Sequence, residues 1–395
     1  MLRTIDFLER LLLKPKDMSL FYIALKNKLS GNFIYWNKPS TPLDFFKKAY
    51  FFNDIPDYIT PEFNTTNKNI KHIAIDTYKG SMVNLSKYQN KDDYLKCNFS
   101  SDRRSKFKTY KKRLEKCFNI TYKTYYGSID KVEYDRLFAL LYEMLKKRFN
   151  AIEEEHYAIA NWSLFEDNCF ALINANQAVL FVIYDGDNPI SISFNPILGD
   201  IAYGYLRSFD IDYSKFYLGF IDTIWEIEWC FAHDIKIFDL LKGTYSYKTR
   251  FTDSSYYFQK HIVYNSKSLT SLTSGLVKTF KIKCFYTLIK ALKRVQIDIF
   301  YHKLRNRKRK TLAGQKNETK TYSILENNFS DIEKENLCKI NLNSIEFSFL
   351  KKVVYDFLYT SQESINDIEV YQISTSKNTY VIKGVCKTQK IMYLC

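Results

Sequence analysis

Asp239, Tyr247, Lys248 and Arg250 are the residues of this chain whose types and spacing can do chemistry together. They lie in the segment Phe238-Asp239-Leu240-Leu241-Lys242-Gly243-Thr244-Tyr245-Ser246-Tyr247-Lys248-Thr249-Arg250-Phe251, where an apolar run from Ile235 to Leu241 stops at Gly243 and gives way to a polar cluster. A carboxylate inside an apolar strand is costly unless it is paired. Asp239 therefore reads either as a group that orients a substrate or accepts a proton, or as half of a structural ion pair with Lys242 or Arg250. Lys248 and Arg250 suit an anionic substrate or a phosphate, and Tyr247 can donate to a leaving group; the other reading is a solvated basic loop after a strand end.

The elements that must position these groups lie just upstream. Ala178 to Phe209 reads as an antiparallel meander of three strands, Ala178 to Tyr184, Pro189 to Pro196 and Ile201 to Phe209, turned at Asp185-Gly186-Asp187-Asn188 and at Leu198-Gly199-Asp200. A polar loop, Asp210 to Lys215, and Gly219 precede a helical pattern from Phe220 to His233, with Ile221, Ile224, Ile227, Glu228 and Phe231 spaced by three or four. The free N–H groups at the start of such a helix favour an anion by about 0.3–1 kcal/mol. Gly219 either lets a ligand approach that backbone or is a plain loop glycine.

This order of elements, with Gly204-Tyr205-Leu206-Arg207-Ser208-Phe209-Asp210, Tyr213, Gly219, Phe238-Asp239, Gly243, Tyr247-Lys248 and Arg250-Phe251, resembles the CelD-type branch of the GNAT acyltransferase superfamily, related to the Fem-type transferases. Tyr94-Leu95, Ser100-Ser101 and the basic helix Arg103 to Lys116 extend the resemblance to about residues 90–260. It implies an α+β fold, a mixed, mostly antiparallel sheet flanked by helices, in which the strands either side of the helix splay and an acyl thioester lies in the gap. It implies acetyl-CoA or another acyl-CoA as co-substrate, no metal, and Arg207, Ser208, Tyr217, Leu218, Gly219 and Phe220 as the residues binding it. The chain departs from the family: Tyr217-Leu218-Gly219 replaces a Ser-Pro-Gly-type phosphate loop, the superfamily's Gln/Arg-x-x-Gly-x-Gly/Ala loop is incomplete, Ser246 replaces a proline, and Lys242 an arginine.

With 395 residues, 46% of them hydrophobic and 17% aromatic, the chain can bury a large core and should hold two or three domains. Residues 1–95 read as an N-terminal lobe, with Ile70 to Val83 as one or two strands and, by the resemblance, a degenerate first GNAT-like lobe. Residues 96–265 read as the transferase domain, 266–310 as a basic amphipathic helix and 322–395 as a small α+β module after a linker. In the amphipathic stretch Leu276, Phe280, Cys284, Leu288, Leu292, Val295 and Ile299 form an apolar stripe that either docks on the catalytic domain or lies on an anionic membrane.

The excess of 59 Lys and Arg over 43 Asp and Glu, a net charge of +16, favours an anionic partner: CoA phosphates, a nucleotide- or lipid-linked sugar, an acidic membrane face, or tRNA. The eight cysteines are scattered without a Cys-x-x-Cys pair, which argues against zinc and against a disulfide framework and points to a reducing cytoplasm. Cys230 and His233 are the only close cysteine–histidine pair, and their spacing on one helix reads as core packing. No apolar run of about eighteen residues is present, so the expected location is cytoplasmic, with a peripheral place at the inner membrane face. Three functions fit: acyl transfer from acyl-CoA to an amine or hydroxyl of a small-molecule or sugar acceptor, such as a cell-surface polysaccharide precursor; aminoacyl-tRNA-dependent transfer of Fem type; and a non-catalytic scaffold that binds nucleic acid or an anionic membrane.

Overall fold

The computed structural model describes residues 3–13, 18, 20–36, 49–151, 157–243, 246–294, 321–325 and 337–394, the side chains of Arg3, Ala151, Ser246, Tyr247, Lys293, Thr321, Lys377 and Leu394 excepted. The first third gives β1 (Arg3–Asp6), α1 (Phe7–Leu13), β2 (Tyr22–Asn27), β3 (Phe33–Trp36), β4 (Tyr50–Pro56), β5 (Ile59–Phe63), β6 (Ile70–Asn84), α2 (Lys91–Asn98) and α3 (Ser101–Cys117). Then follow β7 (Ile120–Tyr125), α4 (Lys131–Ala151), α5 (Tyr157–Ala160), α6 (Trp162–Asn174), β8 (Ala178–Asp185), β9 (Asn188–Leu198), β10 (Ile201–Tyr203), β11 (Leu206–Phe209) and α7 (Leu218–Ala232). The last part holds β12 (Ile237–Lys242), α8 (Ser246–Phe251), β13 (Ser254–Asn265), α9 (Leu269–Arg294), β14 (Thr321–Leu325), β15 (Leu337–Lys339), α10 (Lys351–Ser361), β16 (Glu369–Ile373), β17 (Ser376–Lys383) and β18 (Thr388–Leu394).

The fold is α+β and GNAT-like. Its main sheet has the order β1-β4-β13-β6-β12-β10-β9-β8-β7, with β11 paired to β9. Most pairs are antiparallel, while β1–β4 and β10–β12 are parallel. The sheet joins strands from both sides of residue 95: β6 pairs with both β12 and β13, so the N-terminal strands and the later strands share one hydrogen-bonded layer.

Side-chain alternation explains why both faces of this sheet are covered. On β8, Leu180, Val182 and Tyr184 pack with α4 and α6, whereas Val179, Phe181 and Ile183 face the helices on the other side. A strand buried on both faces reads as a continuous apolar run, which is why Ala178 to Tyr184 was plain in sequence. β9 alternates differently: Ile192 and Phe194 join the α4–α6 core, while Ser191 and Ser193 donate to Asp222 on α7. The expected strand Ile201 to Phe209 is two strands, interrupted at Gly204-Tyr205.

The C-terminal sheet, β14-β18-β17-β16-β15, packs against α10. α10 also docks on the turn before α7, through Tyr355 against Tyr213 (4.6 Å between ring centroids) and Phe118 (5.0 Å) and through Tyr359 against Phe216 (5.3 Å). The expected strands of this module are present, and β14 and β15 add to them; residues 311–320 of the expected linker lie outside the described residues.

Gly80 on β6 stands opposite Tyr256 on β13, and a Cβ at Gly80 would overlap the Tyr256 ring. That ring carries its hydroxyl to Asp239 on β12. Gly80→Ala should therefore displace the tyrosine and lower stability by about 2–3 kcal/mol, measured as a shift of the urea midpoint at unchanged slope; an unchanged midpoint would show that the ring can move without cost.

Candidate functional site

β10 and β12 pair in parallel for three registers only, Ile201 with Ile237, Ala202 with Phe238 and Tyr203 with Asp239. One more bond, Gly204 N–H to the Asp239 carbonyl (2.8 Å), closes the contact. Beyond it β11 follows β9 and β12 keeps to β6, so the two strands part.

β12 bulges at this point. Its register against β6 shifts between Asp239 and Lys242, and Leu241 sits at φ 62°, a left-handed conformation that costs a residue with a side chain about 1–2 kcal/mol. Two side chains hold the bulge from opposite sides. Asp239 accepts the Leu241 N–H (2.7 Å) and the hydroxyls of Tyr58 (2.5 Å) and Tyr256 (2.7 Å). Lys248, reaching back from α8, donates to the carbonyls of Leu240 (2.6 Å) and Lys242 (2.7 Å), on either side of Leu241. Burial pushes the Asp239 carboxyl up to about 6 against the lowering effect of its donors, and burial pushes the Lys248 ammonium down to about 8.

The gap opens into a cavity of about 570 Å³ whose charged lining includes Arg207, Lys242, Lys248, Asp6, Glu9 and Asp54. The last three come from the N-terminal strands and α1, which sequence reasoning did not connect with the site; no local pattern marks them, because only sheet order brings β1 and β4 there. Lys242 is paired with Asp54, not with Asp239. Asp239 itself lies behind β12 among tyrosines and is not part of the lining.

Arg207 on β11 joins the cavity to a buried network on α7. Its guanidinium donates to Ser193 Oγ (3.1 Å) and Thr223 Oγ1 (2.6 Å) and is paired with Glu226, which also accepts from Asn195 (3.0 Å). Asp222, one turn before Glu226, accepts from Ser191 (2.6 Å) and Ser193 (3.1 Å). Burial raises both carboxyls, Glu226 to about 7, while Arg207 lowers each of them. Glu228, taken from the sequence as part of the helix stripe, instead faces out and pairs with Lys91.

The remaining expected residues separate by place. Ser208 and Leu218 are fully buried and face neither the cavity nor solvent. Tyr217 is exposed, at φ 57°, and stacks on Tyr110 of α3 with centroids 4.1 Å apart. Arg250 lies over the Phe220 ring (5.6 Å), beside the start of α7, so Asp239, Lys248 and Arg250 occupy three neighbouring places and not one cluster. Gly219 has no left-handed backbone, and a Cβ there would touch only the Phe209 ring at 4.0 Å, so no internal contact of the fold demands glycine. The Tyr247 side chain lies outside the described residues.

Because the folded pKa of Asp239 is raised to about 6 from an unfolded value of about 3.9, the native state binds the extra proton and stability falls as pH rises through that window. Lys248 is depressed to about 8 from about 10.4, so the unfolded state binds the extra proton and stability rises with pH between those values. The summed contribution of these two groups to the thermal midpoint is therefore smallest near neutrality. Asp239→Asn should flatten the acid-side limb, and an unaltered slope there would show that another carboxyl produces it.

No curated protein matches the chain. Among solved structures, FemX is 13% identical with a TM-score of 0.39, over 57% of this chain and 74% of that one. The L-PGS of Bacillus licheniformis is 10% identical, with a TM-score of 0.34, over 58% and 71%. A conserved protein of unknown function from Bacteroides thetaiotaomicron is 9% identical, with a TM-score of 0.37, over 54% and 69%. The segment that runs from α3 through the parting strands and α7 to Lys248 and Thr249, residues 101–249, matches the family model described as an acetyltransferase (GNAT) domain.

Proposed function

We propose that the chain transfers an acyl group from acyl-CoA, acetyl-CoA included, to an amine or hydroxyl acceptor in the cavity between β11 and β12. The observation that carries this reading is the parting of β10–β11 from β12 within the segment similar to the acetyltransferase domain, with a buried lysine depressed to about 8 on its wall. Acyl-CoA would supply the acyl group already activated as a thioester. Its phosphates would lie at the open face of Gly219 and the first N–H groups of α7, with Arg250 beside them and Tyr217 and Phe220 flanking. Ser208 and Leu218 would shape that approach from the core.

Lys248 would take the proton of the attacking amine, since a group that titrates near the working pH exchanges protons most effectively. Arg207 would face negative charge developing on the acyl oxygen, where a fixed cation in a dry gap acts strongly. Tyr247 would return a proton to the leaving thiolate, and Asp239 is a positioning residue that holds the bulge. The carboxylates of Asp6, Glu9 and Asp54 suit an amine acceptor. The CelD-type resemblance around Gly243, Tyr247-Lys248 and Arg250-Phe251 favours a cell-surface polysaccharide precursor.

Thiol release from acetyl-CoA, followed against a panel of amino sugars, amino acids and polyamines, tests the reading. kcat/KM should rise with pH through about 8. Lys248→Arg should keep the bonds to Leu240 and Lys242 and the thermal midpoint, yet lose the pH limb and about a hundredfold in rate; a retained limb removes Lys248 from proton transfer. Gly219→Glu should abolish CoA binding in isothermal titration. Absence of heat from the parent protein at millimolar CoA would overturn the donor assignment.

A second reading, aminoacyl-tRNA as donor, is favoured by α3, where Arg103, Lys106, Lys108, Lys111 and Lys112 are all exposed. A tRNA complex should weaken with salt at a log–log slope of about −0.7 to −0.9 per neutralised phosphate, seen by mobility shift at two ionic strengths. No shift at low salt excludes it.

A further inference from the structure

α9 has two apolar faces, and among the described residues only one of them is packed. The inner face packs on β13 and β6: Ile282 and Tyr286 are buried with Ile75, Ile262 and Tyr264. Gly275 brings the helix close enough that a Cβ would come within 2.8 Å of the Tyr264 ring. The sequence stripe Leu276, Phe280, Cys284, Leu288, Leu292 is not this face. At 100° per residue it lies on the opposite side of the helix, and the structure leaves it in solvent: Phe280 is 69% exposed, Leu288 58%, Val277 and Phe285 54% each and Leu276 47%. Val295 and Ile299, which would continue the stripe, lie outside the described residues.

The charge around this face has one sign. α9 contains no Asp or Glu in its 26 residues, and its cations are Lys278, Lys281, Lys283, Lys290, Lys293 and Arg294. By helical angle Lys283, Lys290 and Arg294 border the outer apolar face on one side and Lys278 and Lys281 on the other. After eight intervening residues, Asp298 among them, the sequence carries six cations in residues 303–310. A large exposed apolar face is uncommon on a monomeric surface and marks an interaction. Cations on both borders and the absence of any acid from α9 itself favour a partner that is apolar below a layer of negative charge. Among the described residues no helix is long and apolar enough to cross a membrane, and the inner face of α9 is already committed to the sheet.

We propose that the outer face of α9 lies on the surface of an anionic lipid bilayer, with Phe280, Leu288 and their neighbours between the acyl chains and the flanking lysines at the phosphates. This proposal stands apart from the acyl-transfer reading and survives its failure. It also leaves the sheet beneath α9 unchanged, since Ile282 and Tyr286, which pack on that sheet, lie on the other side of the helix.

Sedimentation of the full chain with two vesicle types tests it, phosphatidylcholine alone and phosphatidylcholine with one third phosphatidylglycerol. The expected result is partition onto the anionic vesicles at least about tenfold above the neutral ones, weakening with salt. Phe280→Ser with Leu288→Ser, which changes no charge and leaves residues 303–310 in place, should lower partition by about tenfold or more at an unchanged thermal midpoint. Lys281→Gln with Lys290→Gln should reduce the preference for anionic vesicles. Equal partition onto both vesicle types, no partition, or partition that the Phe280/Leu288 variant leaves intact would overturn the proposal. So would a dimer that binds no vesicle and that the same variant dissociates, which would assign the face to a second copy of the chain.

Discussion

The bulge in β12 is the constraint on which the rest of the site depends. Past Asp239 the strand no longer pairs with its parallel neighbour, and the gap opens where the bulge lies. Leu241 at φ 62° breaks that continuity, and the conformation persists because its backbone groups are satisfied from two sides. Asp239 takes the Leu241 N–H, and Lys248 takes the carbonyls of Leu240 and Lys242. Asp239 is itself fixed from elsewhere in the sheet. Tyr58 follows β4 and Tyr256 is on β13, so strands far apart in sequence hold one distortion in place. Strain kept by surrounding structure in this way is characteristic of functional sites.

The second organising feature is the uneven charge beneath the cavity. Two carboxyls on α7, Asp222 and Glu226, share one arginine, Arg207, and the strand residues Ser191, Ser193 and Asn195 supply the remaining hydrogen bonds. Buried carboxyls that outnumber their cation are pushed toward the protonated form, which is the direction both take here. The network also ties β11 to α7 across the face of β9. The splayed strand and the helix that follows it are therefore tied together beside the cavity.

The C-terminal module adds a constraint of its own. α10 sits against the turn that precedes α7, with Tyr359 near Tyr217 (6.4 Å) and Arg113 over the Tyr359 ring (4.7 Å). Cys117 of α3 donates to the Leu358 carbonyl (3.5 Å), and Lys352 to Ser214 (3.2 Å). The start of α7 is thus framed by three separate pieces of chain, α3, α8 and α10, and a ligand there would meet aromatic and cationic groups from each.

Local pattern determined much of this protein. The apolar run of β8, the turns at Gly186 and Gly199, the helix before β12, the break at Gly243 and the strands around 369–394 were all legible, because each rests on neighbours within a few residues. So was the segment Phe238 to Phe251 as the place to look, since Asp239 in an apolar strand and Lys248 after it are anomalies of composition. Their division of labour was not legible. Whether Asp239 met a lysine, an arginine or two tyrosines depended on Tyr58 and Tyr256, which only sheet order brings alongside. Asp6, Glu9 and Asp54 reach the cavity for the same reason. On α9 the stripe with the better sequence period faces water while a less regular one packs, because periodicity fixes which residues share a face and says nothing of which face meets the sheet. The sequence by itself set the elements and the chemistry available; tertiary structure decided which groups meet, because register between distant strands and the choice of packed face depend on contacts that no local stretch encodes.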